Sequence, residues 1–496
     1  MRVPIALAAA LAVVALSPGA RAEATGAATI ATATADAVKL GRRDPAGEAA
    51  ARMKLAEHLM LTDPPAAATM VLAARAASVR AEGADGPMVA LADYRLALIR
   101  ALGGDRKAQL RPMAEAAQRL AARAHTPEQR TLAGQALIVG ASFTMSSGEP
   151  ALTDALRDAG IAMLSRADLA RTTDLAEARR VVADVLVFQN RAADALPWAT
   201  AAVDLYRELN AQDPALVYAL ARRGSALVRL SRYPEALADL RLAVLHSDHS
   251  IDDPTVPVMA LRSLGNYYWR LGEPDLALPL LKRALEAAEK LPPGFPYAGG
   301  LSRDIMNTLL DADRPDEARR YAEDTARRTQ ATMGTDSYEH ASAILVLARI
   351  DVAEEAYDDA ARRIDQADAI FARALVAGND RRFEPLSARA ALYAATGRAD
   401  EAIALYDRAA AILAKTPLDE PDRIDLAQGS AAARLATGRA TADGWQVARA
   451  AADGMTTRIV RQVSGIGGLD TARGRSDRVF GTALDTAWIY ARTPPR

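Results

Sequence analysis

One spacing limits this chain more than any other property: its apolar and small residues return every 41 or 42 positions. In Leu261–Ala288, LRSLGNYYWRLGEPDLALPLLKRALEAA, two amphipathic segments flank Gly272-Glu273-Pro274. With Gly272 counted as position fifteen of a unit, its equivalents are Asn190, Ser231, Asp313, Glu355, Gly397 and Gly438. The successive steps from Asn190 are 41, 41, 41, 42, 42 and 41 residues. Five residues past the first six of these turns stand Ala195, Ala236, Ala277, Ala318, Ala360 and Ala402. Seven further on come Ala202, Ala243, Ala284, Thr325, Ala367 and Ala409. A constant phase at this period marks a stacked repeat in which no unit buries its apolar face alone.

The phase has a steric meaning. Where two helices of a unit cross closely, only a small side chain fits, and bulky residues fill the flanks. Leu220, Leu227, Leu261, Leu264, Tyr268, Ile305, Leu309, Ile344 and Leu347 fall on one stripe of the first helices. Leu240, Leu281, Ile364 and Tyr406 fall on that of the second. Their spacing at i, i+3, i+4 and i+7 is helical, no run alternates as a strand would, and the predicted class is all-α.

The motif LGxYYxxLG…A…A in Leu264–Ala284, RYPEALADLRLA in Arg232–Ala243 and YAATGRADEAIALYDRA in Tyr393–Ala409 resembles the tetratricopeptide repeat. The usual unit has ~34 residues; the longer spacing here is similar to that of kinesin light chains. The resemblance implies a right-handed superhelical solenoid of about ten helix pairs, with the first helices lining a concave groove. It is clear over about 176–414 and keeps phase outward, through turns at Thr62, Gly104 and Gly148 and a last one at Gly438. In that last unit Asp443 stands where a small residue is expected.

The ends differ from the middle. Arg2, the apolar run Ile5–Leu16, the break at Pro18-Gly19 and Ala20-Arg21-Ala22 read as an export signal cleaved after Ala22, leaving a periplasmic or secreted protein. The run is short for a membrane span of ~20 residues. The expected organisation is a signal peptide at 1–22, a leader at 23–46, degenerate repeats at 47–175, repeats at 176–455, and a Gly-rich link with a capping helix at 456–496. Val479–Tyr490, with Phe480, Leu484, Ala487 and Trp488, supplies the cap. That segment also looks like the end of the repeat region in bacterial proteins that carry a caspase-like CHAT peptidase domain.

Composition narrows the chemistry. With 61 basic and 62 acidic residues there is no charge argument for nucleic acid or an anionic membrane. With no Cys there is no disulfide and no thiolate nucleophile or metal ligand. His246-Ser247-Asp248-His249 has metal-like residue types but falls in a link between units, where an exposed loop with capping Asp residues is the plainer account. Gly465-Ile466-Gly467-Gly468 lacks the strand that would make it a phosphate loop. No cofactor or metal is expected, and no catalytic set stands out.

The remaining candidates are polar residues of the first helices. Positions two, five, nine and twelve share a helical face. Arg262 with Asn266, and Arg303 with Asn307, form two consecutive pairs one turn apart. An Asn amide can pair with the backbone of an extended peptide, and an Arg beside it can fork a carboxylate. By resemblance, Asn266 and Asn307 are expected as backbone clamps and Arg262 and Arg303 as anion contacts. Trp269 and Arg270 form a wall, and Arg222 and Arg349 belong to the same set. The bland alternative is a solvated polar face. The expected function is an exported, non-catalytic scaffold for a protein or peptide. The runner-up is a regulatory relative or partner of CHAT peptidases, and a cell-wall lytic enzyme comes third.

Overall fold

The structure is a computed structural model. It describes residues 34–39, 43–60, 63–101, 106–144, 150–189, 191–209, 214–230, 232–247, 255–290, 297–333, 335–375, 379–414, 416, 420–437, 442–464 and 479–487. The export signal, most of the leader, the loop after Ser247 and the Gly-rich link lie outside them.

Among the described residues, twenty α-helices form ten consecutive pairs. They are α1 (Pro45–Leu59) with α2 (Pro64–Glu82), α3 (Pro87–Arg100) with α4 (Arg106–Arg123), α5 (Pro127–Thr144) with α6 (Pro150–Leu164), α7 (Thr173–Phe188) with α8 (Ala192–Glu208), and α9 (Pro214–Arg229) with α10 (Tyr233–Ser247). Then follow α11 (Thr255–Arg270) with α12 (Pro274–Ala288), α13 (Tyr297–Asp311) with α14 (Pro315–Met333), α15 (Tyr338–Ala353) with α16 (Tyr357–Ala374), α17 (Phe383–Ala395) with α18 (Ala399–Ile412), and α19 (Pro421–Ala436) with α20 (Ala442–Ser464). Among the described residues there is no strand. Two compact units divide the chain: an N-terminal unit of Pro4–Ser263 with Ala287–Pro296, and a C-terminal unit of Leu264–Glu286 with Tyr297–Arg496. Within each, a helix packs on its sequence neighbours, and first helices also pack on the first helices of adjoining pairs.

The turn position owes its constancy to helix termination. Gly272, Asp313, Glu355 and Gly397 all have positive φ, at 75, 56, 62 and 76°. In each case the next amide reaches back five residues: Glu273 to the Tyr268 carbonyl at 2.9 Å, Arg314 to Leu309 at 2.9 Å, Ala356 to Asp351 at 2.8 Å and Arg398 to Tyr393 at 2.8 Å. The same bond recurs from Arg191 to Leu186 at 2.8 Å and from Arg232 to Leu227 at 2.9 Å. A left-handed residue lets the amide beyond it satisfy a carbonyl that the helix end leaves orphaned. Glycine adopts that conformation freely, whereas Asp313 and Glu355 adopt it against the steric preference of an L side chain.

The crossing positions are as small as the spacing requires. Ala195, Ala236, Ala277, Ala318, Ala360 and Ala402 are fully buried, and so, seven residues on, are Ala202, Ala243, Ala284, Ala367 and Ala409, with Thr325 at 2 % exposure. Opposite them, a Cβ added to Gly265 would lie 2.8 Å from Leu281 and 3.5 Å from the Ala277 carbonyl. One added to Gly224 would lie 2.7 Å from Leu240 and 3.4 Å from the Ala236 carbonyl. One pair reverses the sizes: Met306 takes the register of Gly265, and Ala322 that of Leu281, both fully buried. A small residue facing a large one, in either order, keeps the crossing filled without overpacking. The flanking stripe is buried throughout except Tyr268, which is half-buried while its neighbour Tyr267 enters the core.

The last pair keeps the fold and shifts the register. Asp443 is exposed, and the small residues packed inside are Ala448 and Ala451. A helix at 479–487 closes this end. Val479 and Phe480 pack with Ile424, Ala451 and Met455, and Ala483 with Ala431 and Ala448. Leu484, expected in the cap's apolar face, is 71 % exposed, because Val479 and Ala483 set the buried stripe one residue away from it.

Two substitutions test this account. Glu355→Gly relieves a strained left-handed residue and should raise stability by about 0.5–1 kcal/mol. Gly265→Val should lower it by about 1–3 kcal/mol through overpacking against Leu281. Urea melts of both variants beside wild type would measure the two shifts.

Candidate functional site

Polar residues on the first helices decide what these faces can bind, and the two units treat theirs differently. In the N-terminal unit they are enclosed. Glu177, Arg180 and Asp184 on α7 occupy positions two, five and nine, yet all three are buried. Arg180 forks Glu177 at 2.7 and 2.8 Å and pairs with Asp184, while Tyr206 on α8 donates to Glu177 at 3.1 Å. Arg222 on α9 pairs with the other face of Asp184 and approaches Met259 Sδ at 3.9 Å. Burial works against the charge of Arg180, but Asp184 and Glu177 outweigh it and hold the guanidinium above its usual pKa. Two cations and two anions thus balance inside the helix stack, and Arg222 serves α7–α9 contact. Arg262 is half-buried on α11.

In the C-terminal unit the same positions are more open. Asn266 Nδ2 stands 3.5 Å from Asp304, and Trp269 Nε1 donates to Asp311 at 2.8 Å. Arg270, at the end of α11, donates to both Glu420 oxygens at 2.8 and 2.9 Å, across 150 residues of sequence. Arg303 donates to the Tyr338 hydroxyl at 3.1 Å, as does Arg381 at 3.0 Å, and that hydroxyl donates to Glu384 at 3.0 Å. A phenol has one proton and two lone pairs, so Tyr338 is saturated. Both guanidinium carbons also lie 5.6 Å from its ring centre. Burial pushes the phenol up to about 12, against the pull of Arg303 and Arg381.

Two of the sequence-predicted residues are left over. Asn307 on α13 is half-exposed, Arg349 on α15 is exposed, and neither makes a hydrogen bond or ion pair among the described residues. Both occupy position nine, on first helices that pack against each other. The next position nine, on α17, is Ala391, so nothing large follows Arg349 there.

An acidic rim flanks this face and was not singled out from the sequence. It comprises Glu384 on α17, Glu420 at the start of α19, and Asp422 and Asp425 within it. The only signal for it was a recurrent charge just before position one: Glu339, Arg381 and Asp422 share that register. Asp422 makes no hydrogen bond or ion pair among the described residues. Its side chain is open to solvent at the surface yet crowded by protein. That crowding, then Asp425, Glu384 and Glu420, raises its carboxyl to about 6, with Arg381 opposing. Between the ordinary carboxylate value near 4 and about 6, the folded chain therefore holds more protons than the unfolded chain, and stability falls as pH rises through that window. Asp422→Asn should remove this fall, so that thermal melts of the variant change less than wild type between pH 4 and 6 and run higher above it.

With the geometry in place, the relatives can be set beside it. The tetratricopeptide repeat family matches residues 258–291, which cover most of α11 and all of α12. No curated protein matches at a significant level. Among solved structures, BtubC (BKLC) from P. vanneervenii is 20% identical with a TM-score of 0.38, the match covering 45% of this chain and 91% of that one. A Rap protein complexed with competence and sporulation factor is 15% identical with a TM-score of 0.45, over 72% of this chain and 96% of that one. A putative kinesin light chain with TPR-like repeats from Podosopora anserina is 20% identical with a TM-score of 0.30, over 42% and 98%. Residues 258–291 thus match a tetratricopeptide repeat, and the register of that helix pair recurs in the pairs on either side of it.

Proposed function

We propose that this protein is an exported, non-catalytic scaffold that holds a protein or peptide segment on the first-helix face of its C-terminal unit, at Asn307 and Arg349. The observation that carries the reading is the unengaged state of these two side chains. They stand at one register position on neighbouring helices, while Trp269, Arg270 and Arg303 on the same face are tied to partners within the chain. An amide with a free carbonyl and a free NH2 group matches the alternating donor and acceptor of an extended backbone. The exposed guanidinium one helix away matches a carboxylate of the same segment. A repeat scaffold suits this work because helix pairs place position nine at a regular interval, along which an extended segment can lie.

Export rests on Arg2, the run Ile5–Leu16 and the Ala20-Arg21-Ala22 site, all outside the described residues. Among the described residues no helix is long and apolar enough to cross a membrane. Mass spectrometry of the protein recovered from an exported fraction should give a chain beginning at Glu23.

Cross-linking and affinity capture from that fraction, followed by titration of the captured partner, tests the binding reading. The Asn307→Ala/Arg349→Ala double variant should bind at least tenfold more weakly, roughly the loss of one neutral and one charge-assisted hydrogen bond. Its circular dichroism should match wild type. Wild-type affinity in the double variant would refute the assignment.

A further inference from the structure

The Arg270–Glu420 pair departs from the logic of a repeat. The long side-chain hydrogen bonds typical of the C-terminal unit reach about one unit and its neighbour, as with Tyr338 and Glu384, 46 residues apart. Arg270 and Glu420 are 150 apart. Stacked helix pairs need contacts only with adjoining pairs, so this bond does not arise from stacking. It ties the end of α11 to the start of α19, four pairs on, and both side chains are largely buried, at 17% and 18% exposure.

The bond is also incomplete. A single nitrogen of Arg270, Nη2, meets both oxygens of Glu420. The parallel two-nitrogen fork that guanidinium and carboxylate favour is not formed, and the remaining donors of Arg270 make no hydrogen bond among the described residues. Elsewhere in this chain the fork is made in full, as by Arg223 on Asp239 with two bonds of 2.6 Å. Glu420 also stands near a like charge, since it helps to raise the carboxyl of Asp422. A cation with open donors therefore faces an anion that has one like charge, Asp422, beside it.

We infer that Arg270 is an acceptor site for a carboxylate of an acidic partner segment, which Glu420 occupies in the free protein as an intramolecular stand-in and from whose displacement the C-terminal unit opens. The inference rests on the reading that this unit binds a protein segment, and it adds the chemistry of that segment and a gate. An incoming carboxylate can engage the open donors of Arg270 before Glu420 leaves, so exchange needs no bare charge at any stage.

The chain has no Cys, so spin labels at Glu286→Cys and Arg408→Cys, both exposed, report the separation of α12 and α18 without background. Double electron–electron resonance on this labelled pair should show a longer or broader distance in Glu420→Gln than in the Glu420 parent. The double exchange Arg270→Glu/Glu420→Arg should restore the parent distance, which also guards against a misfolded single variant. In parallel, a fluorescein-labelled decapeptide of alternating Glu and Ala should bind Glu420→Gln at least fivefold more tightly than wild type. A Gln–Ala counterpart should show no such gain, and Arg270→Glu/Glu420→Arg should lose the acidic probe. An unchanged distance in Glu420→Gln overturns the clasp. An opened unit that takes up neither probe, or both equally, overturns the carboxylate site. The Asn307/Arg349 reading is judged separately, by its own double variant against the captured partner.

Discussion

Close crossing of two helices over an alanine is the contact on which the rest of this structure depends. Opposite Ala236 and Ala277 stand Gly224 and Gly265, and the space a Cβ would take at each is filled by Leu240 or Leu281 of the second helix. That approach fixes the angle and depth of each pair, and the left-handed turn before it fixes the phase at which the second helix starts. Once both are set, the direction of every side chain on the first helix follows from its position in the unit. The constraint is one of volume: Met306 and Ala322 satisfy it as well as Gly265 and Leu281 do.

Register sets direction, and the neighbours then decide whether a polar side chain remains available. Arg180 and Arg303 share position five. Arg180 meets two carboxylates and a tyrosine and is buried. Arg303 meets a tyrosine already shared with Arg381. At position nine Asp184 is enclosed, whereas Asn307 and Arg349 make no hydrogen bond or ion pair among the described residues. Function in a repeat array thus depends on irregularity: a site arises where one unit lacks the partner that another unit supplies.

This separates what the sequence made legible from what it did not. The turn phase and the buried alanines could be read because each follows from interactions within one unit, repeated often enough to stand above an Ala-rich background. The burial of Arg180 could not, because it needs Tyr206 from the second helix and Arg222 from the next pair at once. The Arg270–Glu420 bond was beyond reach for another reason. Its residues share no period, and only the accumulated placement of four pairs brings them together. Asp443 misled by the opposite route: the spacing was extrapolated into a pair whose second helix is held by the helix at 479–487 as well as by its own partner, so Ala448 and Ala451 took over the crossing.

The acidic rim carries that argument from structure to partner. Arg270 pairs with Glu420 and Arg381 with Glu384, and the carboxyl of Asp422 stays raised, by burial first and then by Asp425, Glu384 and Glu420, with Arg381 opposing in part. On the proposed binding face, residual negative charge at the rim and open guanidinium donors at Arg270 and Arg349 would distinguish partners by where their charges fall, since a carboxylate placed a few ångströms off would meet the rim instead of a cation. Net charge close to zero over the whole chain therefore conceals a local pattern with strong demands on what lies against it.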